Sequence, residues 1–133
     1  MKTLKLKWFL YFLGIKLAYH SRTNAAFQRV IANKELAIQI IIRDHALNYY
    51  FCFKSGQVIA VAGEHAAPSL LLTFADLRCA NEVLRRCLSN MPKLIQYMNK
   101  GALTVEGDIG ALIWFSALCE WAMEGQNASA YST

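Results

Sequence analysis

The spacing of apolar residues changes near Glu35 and again near Asp76, dividing the chain into a helical start, a strand-rich middle and a mainly helical end. Residues 3–20 have the composition and length of a first helix, and Asn24 is placed to cap a short second one over 25–32, carrying Phe27, Val30 and Ile31. Alternation then takes over. Leu36, Ile38, Ile40 and Ile42 fall on one face of a strand, with Ala37, Gln39 and Ile41 on the other, and Asp44-His45-Ala46 supplies a turn. The run 47–53 sets Tyr49, Phe51 and Phe53 on one face of a second strand, and Ser55-Gly56 turns the chain into a third at 58–62. A loop over 63–68 leads to a fourth strand at 69–74, whose almost unbroken apolar run implies burial on both faces. The short connections predict antiparallel order through these four strands.

Asp76 caps the next expected helix, in which Leu77, Ala80, Val83, Leu84, Cys87 and Leu88 form one apolar stripe opposite Arg78, Glu82, Arg85 and Arg86. Pro92 suits the first turn of a short helix through Met98, and Gly101 its C-terminal stop. Residues 102–106 alternate as a fifth strand. Gly107 then makes a bend, Asp108 caps, and 109–124 form a last helix that is apolar around most of its circumference and so needs cover on more than one side. The domain plan is an apolar and basic helix at 1–23, a folded domain at 24–125 and a polar tail at 126–133.

At 133 residues the chain has the length of one domain, yet 56% of it is apolar, against roughly 45–50% in an ordinary soluble domain. Such a surplus goes to an internal ligand cavity, a subunit interface or a membrane surface. The longest uncharged apolar run near the start, Trp8 to Ile15, is broken by Lys16, far short of the roughly 20 residues a spanning helix needs. The same lysine and the lack of a small-x-small cleavage site argue against a secretory signal. Cys52, Cys79, Cys87 and Cys119 form no Cys-x-x-Cys pair and no metal-ligand spacing with histidine; they read as buried apolar residues of a cytoplasmic protein.

The net charge of +5 is uneven, because seven bases precede the first acid, Glu35, and four acids with no base follow Lys100. Lysines interleaved with aromatics over Lys5, Lys7, Trp8, Phe9, Phe12 and Lys16 fit a helix lying on an anionic membrane surface, or else a core helix with solvated lysines. They do not fit a nucleic-acid reading element, so no nucleic-acid partner is expected. No nucleophile sits in a motif with His20, His45 or His65, and no phosphate loop, metal site or cofactor motif is present, so the sequence reads as a non-catalytic binder.

The order helix, four strands, helices, fifth strand and final helix, together with Gly101, Leu103, Gly107 and Asp108 in a Gly-x-Leu-x-x-x-Gly-Asp segment, resembles the sterol carrier protein (type two) lipid-binding family over roughly residues 25–122. The resemblance implies an α+β fold with a five-stranded, mainly antiparallel sheet covered by helices. It also implies an apolar tunnel between sheet and helices for fatty acyl chains, sterol-like molecules or isoprenoids, and no chemistry by the domain itself. On that basis the tunnel wall is expected from Leu84, Leu88, Met91, Leu94, Tyr97, Met98, Ile113, Trp114 and Leu118, with Met98 and Trp114 facing the same space. Two rivals stand beside it: an interaction module that forms a homodimer through the apolar last helix, and an accessory protein holding a quinone precursor or acyl substrate for membrane enzymes.

Overall fold

The computed structural model describes residues 2–45, 47–85 and 91–124. Helices α1 (Lys2–Thr23) and α2 (Ala25–Ile31) precede strands β1 (Leu36–Ile42), β2 (Leu47–Lys54), β3 (Gln57–Ala62) and β4 (Leu70–Phe74); α3 (Leu77–Leu84), α4 (Met91–Asn99), β5 (Leu103–Gly107) and α5 (Ile109–Glu124) follow. The caps are where side-chain chemistry places them. The carboxamide of Asn24 accepts from the Phe27 N–H, the carboxylate of Asp76 from Cys79, and that of Asp108 from Gly110.

The five strands form one sheet in the order β3-β2-β1-β4-β5. Antiparallel order holds for β1, β2 and β3, but β4 runs parallel to β1, with Ile38 opposite Leu70 and Ile42 opposite Phe74. The expectation of four antiparallel strands is corrected here, because the segment after β3 crosses the sheet instead of turning back beside it. Gln39, only 2% exposed on the face away from the main core, anchors that crossover. Its side-chain amide donates to the carbonyls of Tyr49 (3.2 Å) and Gly63 (3.0 Å), and its Oε1 accepts from the His65 N–H at 2.6 Å. At the far end of the crossing, Ser69 exchanges bonds with Ala37 on both its backbone and its hydroxyl. β5 closes the sheet antiparallel to β4, and Gly107 ends it with a φ of +111°, against the Ser69 backbone, where a side chain has no room.

The opposite face carries the core. Ile38, Ile40 and Ile42 lie beside Phe51 and Phe53 on one side and Leu70, Leu72 and Phe74 on the other, all buried. Helices α1 and α5 cover this face. From α5, Phe115 meets Phe51 (5.4 Å between ring centres) and Phe53 (6.1 Å). Helix α1 contributes Leu6, Leu10, Leu13 and Leu17, a stripe spaced four, three and four residues apart and almost wholly buried against β3, α2 and α5. Its hydrophobic character does not stop there. Trp8, Tyr11, Phe12, Ile15 and Tyr19 on the other side are 47–60% exposed, so α1 is apolar on two faces and only one of them is covered by the described residues.

Candidate functional site

Eight of the nine expected wall residues are described, and they differ in burial. Leu84, Leu94 and Leu118 are buried in the core, and Met91, Tyr97 and Trp114 are half-buried against it. Ile113 (55% exposed) and Met98 (37%) face outward. Leu88 lies outside the described residues. The correction for Ile113 follows from helix phase: α5 turns Ala111, Leu112, Phe115, Leu118, Cys119 and Ala122 inward, which leaves position 113 on the outer side. Trp114 is half-buried against the core, whereas Met98 is exposed. The Trp114 indole stands edge-on to Phe53 at 5.0 Å and beneath the Lys34 ammonium at 5.2 Å, in a part of the sheet–helix interface filled by ring contacts.

Tyr97 belongs to a different setting. Its hydroxyl donates to the Glu82 carboxylate, and the Lys93 ammonium lies 5.9 Å from its ring centre. With Asp76, Arg78, Cys79, Lys100 and Ala102 these residues line a pocket of about 360 Å³ between α3, α4 and the start of β5, with charges of both signs on its wall. At its wall, burial first, then the nearby Asp76 and Glu82 carboxylates, push the Cys79 thiol up to about 12, which disfavours the thiolate. Among the described residues no group of His, Cys, Asp and Glu is placed to hold a metal ion.

The basic and aromatic residues of α1 give a clearer arrangement. Lys5, Trp8, Phe9 and Phe12 line an open groove of about 410 Å³ together with Arg85 from the C-terminal end of α3. Phe9 is half-buried against the core, while Trp8, Phe12, Lys5 and Arg85 are exposed. Lys7 is exposed and Lys16 half-buried, and neither lines this groove. Sequence reasoning did not single out Arg85, since a base on the polar side of a helix gives no sign of the distant aromatics it will meet. No described helix is long and apolar enough to cross a membrane.

No protein-family model matches this sequence, and no curated protein is similar to it at a significant level. Solved structures do match. The chain is similar to a structure titled "UbiJ-SCP2 Ubiquinone synthesis protein" at 17% identity, with a TM-score of 0.62, over 91% of this chain and 97% of that one. It is also similar to the sterol carrier protein domain 2 of Helicoverpa armigera (12% identity, TM-score 0.56, 84% of this chain and 85% of that one). A crystal structure of sterol carrier protein 2 matches at 19% identity with a TM-score of 0.51, over 83% of this chain and 92% of that one. The chain has the sterol-carrier-protein-like α+β fold that Gly101, Leu103, Gly107 and Asp108 pointed to.

Proposed function

We propose that this chain binds a long apolar lipid without chemically altering it, and passes it on to a membrane-associated acceptor. The observation that carries the reading is the likeness to sterol carrier protein domains over nearly the full length of both chains. The apolar surplus of the composition supports it. The ligand would lie between sheet and helices near Leu84, Met91, Leu94 and Leu118, where α3 and α4 approach the sheet edge. Covering about 14 methylenes at about 0.8 kcal/mol each gives about 11 kcal/mol before association costs, ample for micromolar affinity without a charged clamp. Fatty acyl chains, sterol-like molecules and isoprenoids all satisfy this chemistry. The test is direct binding of a fluorescent fatty acid, expected at micromolar concentration and displaced by unlabelled lipid; failure to bind any long-chain probe contradicts the reading.

The uncovered face of α1 favours a second element of the same function, peripheral contact with an anionic membrane from the cytoplasm. Trp8, Tyr11, Phe12 and Ile15 are exposed, Lys5 and Lys7 flank them, and no acid lies in the helix. Each base near an anionic surface contributes about 1 kcal/mol. Co-sedimentation with liposomes is expected to rise with anionic lipid and fall in high salt, and equal pelleting with neutral vesicles removes the electrostatic part. An accessory role in which the held lipid is an isoprenoid quinone precursor draws support from the likeness to a ubiquinone synthesis protein. The homodimer reading through α5 has less to stand on, since this helix directs most of its apolar side chains into its own core and exposes Ile109 and Ile113.

A further inference from the structure

The groove between α1 and α3 has a chemical bias that a general lipid carrier does not require. Its lining is three aromatic rings with Lys5 and Arg85, and no carboxylate lines it among the described residues. The positive end of α1 adds to this bias. A helix N-terminus carries a partial positive charge that acids ordinarily offset, yet the first turn of α1 has no acid and the sequence places Lys2 and Lys5 there, with Lys7 in the next turn. Cations at that end oppose helix stability, and breaks of a local rule of this kind are concentrated at functional sites. The groove's volume of about 410 Å³ falls within the range of small-molecule sites, roughly 300–1,000 Å³.

We infer that this groove holds one monomeric, single-chain amphiphile with an anionic headgroup, its chain on Trp8, Phe9 and Phe12 and its headgroup between Lys5 and Arg85. The inference rests on the lipid-binding reading and adds to it a second site, on the outer side of α1 and apart from the sheet–helix interface, with its own selectivity. Arg85 directly follows the buried Leu84, so this cation stands at the surface where α3 ends against the core. A neutral sterol gives the two cations nothing to bind, whereas a carboxylate or phosphate headgroup accepts charge-assisted hydrogen bonds from both.

The experiment compares dodecanoate with dodecanol, matched in chain length, each below its aggregation concentration, binding to the full chain and to a Lys5→Gln/Arg85→Gln variant. Both substituted side chains are exposed, and thermal unfolding checks that the variant is folded. The wild-type chain is expected to bind dodecanoate about tenfold tighter than dodecanol, equivalent to about 1.4 kcal/mol, and the variant to lose that preference by weakening dodecanoate alone. A diazirine-bearing dodecanoate is expected to cross-link within Trp8–Phe12. A folded variant that keeps the preference, or cross-links confined to other elements, overturns the groove while leaving lipid binding intact. Failure of both ligands to bind overturns the groove together with the general reading.

Discussion

Gly14 of α1 faces Ala60 of β3 so closely that a Cβ added at residue 14 would stand 2.6 Å from the Ala60 Cβ. The close approach lets α1 settle onto the sheet and bury Leu10, Leu13 and Leu17. Replacing Gly14 by Ala gains up to about 1 kcal/mol of helix propensity, but overpacking costs about 1–3 kcal/mol. The expected net result is destabilisation, larger still for Gly14→Val. In urea unfolding, Ala60→Gly is expected to recover part of the loss in the Gly14→Ala background. Additive effects of the two changes would mean that α1 does not pack on β3 at this point.

The two faces of α1 separate by the same logic. Leu10→Ala opens a cavity in the core and is expected to cost about 2–5 kcal/mol. The exposed pair Trp8→Ala/Phe12→Ala is expected to change stability by no more than about 0.5 kcal/mol per site while reducing sedimentation with anionic vesicles. A large drop in melting temperature from the exposed pair would show that this face is covered within the protein.

Gln39 holds the crossover that makes β4 parallel to β1. Gln39→Leu leaves the Gly63 carbonyl and the His65 N–H without their partner and is expected to cost about 1–3 kcal/mol, read by chemical denaturation, with faster proteolysis within 63–68. Unchanged stability and unchanged cleavage would show that the crossover is held by Ser69 and Ala37 alone.

The raised Cys79 thiol gives a pH dependence with a definite sign. Between the ordinary value of 9.0 and about 12 the unfolded chain releases a proton that the folded chain keeps, so this thiol lowers stability as pH rises through that window. Burial raises the Tyr49 hydroxyl as well, which acts in the same direction above 10.0. Melting temperature is expected to fall above pH 9, and Cys79→Ala to make the fall shallower. At pH 8, alkylation is expected at half-buried Cys52 well before Cys79. Equal rates at the two thiols would contradict the burial of Cys79.

How much of this was legible in the sequence depends on whether local pattern or chain path decides each feature. The caps Asn24 and Asp76, the β2–β3 hairpin and the bounds of α5 follow from nearby residues, and the Gly101-to-Asp108 segment led to the fold. The parallel pairing of β1 with β4 did not follow, because a loop of ordinary length says nothing of the direction in which it crosses, and Gln39 in an isoleucine run is an isolated signal. In α5 almost every position is apolar, so periodicity could not tell inward Leu118 from outward Ile113. Helix α1 posed the same difficulty, with Leu10 and Phe12 equally apolar and oppositely placed. The groove was missed for another reason: Arg85 meets Phe9 only after the chain has folded.

Native mass spectrometry of freshly purified protein shows whether the folded chain carries a lipid. The expected result is a major species heavier than the 133-residue chain by the mass of one acyl or isoprenoid molecule, released by solvent extraction in near-stoichiometric amount. A folded protein that carries no such mass, and gains none when incubated with micromolar long-chain lipid, would contradict lipid binding.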